Sequence, residues 1–295
     1  MLYLAGEPVA HAATSVAAAR ALGLRAAYVT NNASRRPAAV ATHLSELGIP
    51  AEPHDVVTSA QAAARWLAEH VPAGGAVLVV GTEGLAEEVA AVGLRPVRSA
   101  GDAPVAVVQG LSPDTGWADL AEATVALRAG ALWVAGNTDT TYPSPRGPLP
   151  GNGAMVAAVA TATGRHPVVV GKPEPALHRE SVERVGAERP LVVGDRLDTD
   201  VLGAVNGGAD SLLVLTGVVD RDELLAAPVG MRPTYVSQDL RGLLAAHAPV
   251  EVRDGAARCG TASAHWQDGR LEVSGHGDDA MRAACALSWA TADAA

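Results

Sequence analysis

Leu191-Val192-Val193-Gly194-Asp195-Arg196-Leu197-Asp198-Thr199-Asp200 reads as a short apolar strand that ends at a glycine and runs into a loop carrying three aspartates. Carboxylates crowded at a strand end repel one another and are costly unless a cation is present. Hard oxygen donors with few residues engaged suit Mg2+ better than zinc. A helix N-terminus also favours aspartate through its dipole, and that alternative accounts for Asp198 or Asp200. It accounts less well for Asp195, which follows the strand and the glycine directly.

Upstream, Val168-Val169-Val170 is followed by Gly171-Lys172-Pro173. A lysine at a strand end offers a point charge to a phosphate. The glycine pattern of a Walker loop is missing. Further upstream, Val29-Thr30-Asn31-Asn32 leaves a third strand with a hydroxyl and two amides that can bond one oxyanion. Asparagine and threonine are equally at home in a plain turn, so this stretch taken alone favours the turn.

Composition sharpens the lysine. The 295 residues contain no Phe, and Lys172 is the only lysine among 22 basic residues. Arginine replaces lysine easily on a surface, but not where a compact ammonium must sit. A lysine that survives alone therefore points to a site. The net charge of -10 argues against nucleic acid, whose phosphates call for clustered Lys and Arg. No apolar run is long enough to span a membrane, and the N-terminus lacks the basic flank of a secretory signal. Cys259 and Cys285, the two cysteines, make neither a disulfide framework nor a zinc site. A reducing cytoplasm is the expected compartment.

Periodicity alternates helices with strands along most of the chain. Helices are expected at 8–22, from a Ser34 cap to Leu47, at 60–70, 83–91, 117–129, 151–163, 175–185 and 200–206. Strands are expected at 25–30, 56–58, 76–80, 105–109, 131–135, 168–170, 191–193 and 211–215. Alternation of this kind means an α/β fold with mainly parallel sheets. Pro72-Ala73-Gly74-Gly75 is a hinge signal, so one Rossmann-like domain is interrupted by a second α/β domain. Beyond residue 246 the pattern changes. Asp268-Gly269 reads as a hairpin turn and Asp278 as the cap of a last helix.

In open α/β sheets, ligands bind at the carboxyl ends of strands, where all three motifs fall. Thr30-Asn31-Asn32, Gly171-Lys172-Pro173 and the Gly194–Asp200 loop, in that order, resemble motifs II, III and IV of haloacid dehalogenase (HAD) phosphatases. The NagD-like, 4-nitrophenylphosphatase branch is the one they resemble in particular. The likeness continues in Asn137-Thr138-Asp139, Thr141-Tyr142-Pro143 and Gly151-Asn152-Gly153. The stretches at 55–61, 80–83, 94–98 and 107–123 are similar to bacterial glycerol-3-phosphate phosphatases.

The resemblance implies a HAD-like Rossmannoid core with an inserted α/β C2-type cap. Residues 1–72 and 169–245 would form the core, 73–168 the cap and 246–295 a C-terminal extension. It implies Mg2+, a small phosphorylated metabolite as partner, and an aspartate nucleophile that forms an aspartyl-phosphate. Thr30 would bind phosphate and Lys172 would clamp it, with Asn31 and Asn32 shaping the loop and binding substrate. Asp195 would ligate the metal with Asp200 behind it. Asn137, Asp139 and Tyr142 would face the substrate, a small polyol phosphate such as glycerol 3-phosphate ahead of sugar phosphates and pyridoxal phosphate. Trp117 and Trp133 are expected in the cap core. A homodimer is left open.

One departure stands out. The family opens with a strand ending Asp-x-Asp-Gly-hydrophobic-Leu-Tyr, whereas this chain opens Met1-Leu2-Tyr3. Met1 falls at the hydrophobic position, so the catalytic strand is expected to be missing, encoded upstream of a misplaced start. As written, the chain is then expected to be inactive. The alternative is a non-catalytic module that keeps phosphate and metal recognition.

Overall fold

The structure is a computed structural model that describes residues 1–4, 6–142, 144 and 146–294. Pro143, within one of the quoted motifs, lies outside the described residues. The chain forms two compact units, Ala27–Gly186 and Met1–Ala26 with Ala187–Ala295.

In the unit Ala27–Gly186, five parallel strands lie in the order Val168–Val169, Leu132–Ala135, Ala106–Gln109, Ala76–Val80, Arg95–Val97. The two strands Ala76–Val80 and Ala106–Gln109 are buried throughout, as expected of a parallel sheet covered on both faces. Val77, Val79, Val108 and Val134 pack with Leu67, Leu85 and Leu177 on one face. Leu78, Val107 and Trp133 pack with Leu127, Val156 and Val159 on the other. Arg95–Val97 was not anticipated as a strand, because a proline and two arginine-flanked positions hide its alternation.

The same unit holds a parallel pair, Tyr28–Thr30 beside Val56–Thr58. Thr58 caps the following helix Ser59–His70 reciprocally with Gln61, which satisfies two otherwise orphaned amides. The next expectation fails. Ser34 caps no helix; the helix runs Pro37–Glu46 with Arg36 at the cap position. Proline at the first helical position presets the backbone, while the Ser34 amide and hydroxyl both bond Asn32. Val57 and Leu177 share the core of the five-stranded sheet, so these strands group with it. The compact units are thus bounded at 26/27 and 186/187, whereas the core-and-cap division at 72/73 and 168/169 is a proposal from the resemblance.

In the other unit, three parallel strands run Leu191–Gly194, Asp210–Val214, Tyr235–Ser237. A separate antiparallel meander joins Val250–Arg253, Ala256–Cys259, Ala262–Gln267 and Arg270–Ser274. Its last turn is Asp268-Gly269, both with positive φ (50° and 75°), the backbone a two-residue hairpin loop requires. The helix Gly277–Asp293 packs on the meander through Ala283 and Leu287 and against Leu213 and Val236 through Cys285. Asp278 is not its cap, as the sequence suggested. Its carboxylate accepts the Ser237 hydroxyl at 2.6 Å and the Gln238 amide at 2.9 Å, a tertiary use that outcompetes capping. Among the described residues, no helix is long and apolar enough to cross a membrane.

Candidate active site

The strand Tyr28–Thr30 delivers Thr30, Asn31 and Asn32 at its carboxyl end. Thr30 Oγ1 accepts the Asn32 amide at 3.1 Å. Asn32 Oδ1 accepts the amides of Ser34 and Arg35 at 2.8 and 2.9 Å and the Ser34 hydroxyl at 2.9 Å. That is an Asx turn, which substitutes a side chain for a backbone acceptor. Asn31 reaches across to Lys172: its Oδ1 accepts the Lys172 amide at 2.7 Å and its Nδ2 donates to the Lys172 carbonyl at 3.0 Å. The Asn31 carbonyl accepts the Ser59 hydroxyl at 2.6 Å and Asn137 Nδ2 at 2.7 Å.

Gly171 makes this approach possible. A Cβ there would run into the Gly136 carbonyl and stand 2.8 Å from Asn31 Oδ1. Asp139 follows closely: its amide bonds Asn137 Oδ1 at 3.1 Å and its Oδ2 lies 3.5 Å from Asn31 Nδ2. Gly151 and Gly153 have no room for a side chain against the carbonyls of Asp139 and Thr138.

One sequence expectation, the burial of Trp117, changes here. Both polar side-chain atoms of Asn31 and Asn137, and Oδ1 of Asn32, are bonded within the protein, in keeping with the loop-shaping part that the resemblance gave Asn31 and Asn32. Tyr142 is 39 % exposed on a two-residue ribbon with Leu149–Pro150. Trp117 is 84 % exposed at the first position of the helix Trp117–Arg128 and is not core, whereas Trp133 is buried as expected. Ser59 was missed altogether, since a serine after a strand reads as an ordinary helix start.

In the other unit, Leu191–Gly194 delivers Asp195, and a π-helical turn spans Leu197–Val201. The three aspartates do three different things. Buried Asp200 turns its Oδ2 back to accept the amides of Asp195 at 3.1 Å and Arg196 at 3.2 Å. It packs against Gly194 so closely that a Cβ there would collide with it. Exposed Asp198 pairs with Arg196 at 2.6 and 2.9 Å. Asp195 accepts the Val218 amide through Oδ2 at 3.1 Å, and its Oδ1 lies 3.4 Å from the Met1 α-ammonium. Gly217 lies flat against the Asp195 carboxylate and leaves no space for a Cβ. Asp200, expected beside the metal, is thus first a brace for the loop that presents Asp195.

These residues fit Mg2+. The donors are hard oxygens, and the Asp195 carboxylate is oriented by the Val218 backbone amide. Among the described residues, no group of three or more His, Cys, Asp or Glu side chains converges. Mg2+ is commonly held by one or two carboxylates, waters and a substrate phosphate.

The unit Ala27–Gly186 thus carries a hydroxyl and a braced lysine just after parallel strands, and the other unit carries an oriented aspartate after the parallel strand Leu191–Gly194. Residues 1–95 match the haloacid dehalogenase-like hydrolase family model and residues 169–243 the HAD-hydrolase-like model. D-glycerol 3-phosphate phosphatase of Mycobacterium tuberculosis is 52 % identical over 294 residues, covering 96 % of this chain and 81 % of that protein. Acid sugar phosphatase of Staphylococcus saprophyticus is 38 % identical over 219 residues, 74 % of this chain and 83 % of that protein. The crystal structure of glycerol phosphate phosphatase from M. tuberculosis in complex with magnesium aligns with a TM-score of 0.85 at 48 % identity, covering 99 % of this chain and 88 % of that one. The p-nitrophenyl phosphatase from Archaeoglobus fulgidus aligns at 0.75 and 31 % identity, covering 81 % and 92 %. The chain belongs to the haloacid dehalogenase-like hydrolases, in a branch whose members named above are phosphatases.

Proposed function

We propose that this chain hydrolyses a small phosphate monoester, glycerol 3-phosphate first among polyol phosphates, and that Mg2+ is its metal. The observation that supports this most is the two-sided grip of Asn31 on the main chain of Lys172. It fixes the root of the chain's one lysine beside the strand end that carries Thr30. The 52 % identity with a D-glycerol 3-phosphate phosphatase over 96 % of the chain supports the ester. The likeness to a magnesium-containing structure supports the metal.

In this reading Lys172 sets a compact ammonium against the phosphoryl oxygens, where charge gathers in the transition state. Thr30 accepts the Asn32 amide with a lone pair and keeps its hydroxyl proton for a phosphoryl oxygen. Asn31, Asn32 and Asn137 hold these groups in place, Asp139 and Tyr142 border the hydroxyl-bearing end of the ester, and Asp200 keeps Asp195 in position as the metal ligand. When bound at Asp195, the ion would supply positive charge for a phosphate ester. Attack on phosphorus belongs to a carboxylate other than Asp195 and Asp200, which are occupied with the metal and the loop.

The test compares kcat/KM for glycerol 3-phosphate, sugar phosphates, pyridoxal phosphate and a nucleotide with Mg2+ present. It uses the 295-residue chain and a form begun further upstream in the same reading frame. Glycerol 3-phosphate should lead by roughly tenfold, about 1.4 kcal/mol of transition-state binding. A comparable lead for pyridoxal phosphate or a nucleotide would defeat the substrate assignment. Binding of phosphate and Mg2+ by both forms without turnover would put the non-catalytic module in its place.

A further inference from the structure

We propose that Asn152 is a positioning residue for Lys172, acting through a ladder of buried carboxamides. The proposal rests on the reading of Lys172 as the phosphate clamp and extends it into the five-stranded sheet. Asn152 opens the helix Asn152–Thr163 and is 1 % exposed. Its Nδ2 donates to the Asn137 carbonyl at 2.7 Å and reaches the Gln109 carbonyl at 3.4 Å. Asn137, 5 % exposed, donates its own Nδ2 to the Asn31 carbonyl at 2.7 Å. Asn31 then holds the Lys172 main chain on both sides. Each rung joins a side-chain amide to a backbone carbonyl of the next residue, so the position of one peptide sets the position of the next.

Two features show that the donors of Asn152 are what matter there. Its Oδ1 is buried without a hydrogen-bond partner among the described residues, while its Nδ2 is engaged. Gly151 and Gly153 on either side press against the carbonyls of Asp139 and Thr138 too closely for any side chain, which aims Asn152 inward at the Asn137 carbonyl. An isosteric carboxylate would remove both N–H groups and set an oxygen against two carbonyls. Low local dielectric makes such buried networks strong when complete and costly when broken.

The single lysine makes the test direct. Protein grown with 13Cε-lysine gives one lysine signal, from Lys172. In the absence of phosphate, Asn152→Asp should shift or broaden that signal while the protein still unfolds cooperatively, and Gln267→Ala, on the exposed meander, should leave it unchanged. Titration with inorganic phosphate should show affinity weakened roughly fivefold, as loss of about one net hydrogen bond does. Asn31→Ala combined with Asn152→Asp should weaken binding less than the sum of the two, since both cut one chain. Asn152→Ser, which keeps one donor, serves if the aspartate does not fold, and should give a smaller shift. A folded variant with the wild-type lysine signal overturns the proposal. Phosphate that fails to move the wild-type signal defeats the clamp reading instead, so the two failures are distinct.

Discussion

Asn31 Oδ1 accepts the Lys172 amide at 2.7 Å while Asn31 Nδ2 donates to the Lys172 carbonyl at 3.0 Å. One side chain thereby takes both main-chain polar groups of a residue 141 positions away. Asn31→Asp keeps the acceptor and loses the donor, and it brings a negative charge towards Asp139, whose Oδ2 is 3.5 Å from Asn31 Nδ2. Unfolding in urea should show a loss of about 1–3 kcal/mol, the cost of a buried polar group left unpaired. An unchanged midpoint would mean that the grip contributes nothing to the fold.

Lys172→Arg tests the single-lysine argument. A planar guanidinium spreads its charge over a wide fork and does not replace a compact ammonium in a tight site. Calorimetric titration with inorganic phosphate should show affinity falling roughly tenfold or more, about 1.4 kcal/mol. Retention of wild-type affinity would mean that the lysine survived by chance.

The aspartate loop predicts opposite outcomes for neighbours. Asp195→Asn should abolish measurable Mg2+ binding. Gly217→Ala should weaken it severely, because a Cβ has to displace the Asp195 carboxylate. Asp198→Asn removes only an exposed pair with Arg196, which is worth about 0–1 kcal/mol, and should leave Mg2+ binding intact. Equal loss in Asp195→Asn and Asp198→Asn would contradict the division of labour.

Asp200→Asn removes the charge from an oxygen that accepts two backbone amides at 3.1 and 3.2 Å. Charge-assisted bonds of this kind contribute about 1.5–3 kcal/mol, so thermal unfolding should move down even without metal. A variant that loses Mg2+ affinity with no loss of metal-free stability would make Asp200 a ligand first and a brace second.

Burial pushes the Cys285 thiol up to about 12. The folded protein therefore favours the neutral thiol. That contribution is fully present below the ordinary thiol range near 9 and is lost as pH rises towards 12. Stability measured from pH 8 upward should fall less steeply in Cys285→Ala than in the wild type, and iodoacetamide should leave Cys285 unmodified in the native protein at pH 8. Rapid labelling of Cys285 would show that it is not buried in solution.

The strand ends were legible because short apolar runs followed by glycine and polar residues have few other readings, and the order of Thr30, Lys172 and Asp195 carried the family. The Asp268-Gly269 turn was legible for the same local reason, a backbone that only certain residues adopt. Cap rules failed where another partner, near or distant in the chain, offered more. Ser34 and Asp278 both read as helix caps, yet Asn32 takes the first and Ser237 with Gln238 takes the second. Trp117 was expected in the core because the family pattern put it in a cap helix, but it heads a helix whose buried face is Ala123, Ala126 and Leu127.

By itself, then, the sequence determined the alternation of strands and helices, the chemistry present at three strand ends, and the identity of the lone lysine. These depend on residue type and near neighbours, which a linear chain displays. Only the tertiary structure decided that Asn31 grips Lys172 and Asn137 bonds Asn31, that Asp200 accepts the Asp195 amide while Asp195 accepts that of Val218, and that Asn152 belongs with the asparagines. An asparagine has the same donors and acceptors whether it meets a ligand or a peptide. What separates the two is which carbonyl lies within about 3 Å of its amide nitrogen, and for Asn31, Asn137 and Asn152 that carbonyl comes from a residue 15 or more positions away.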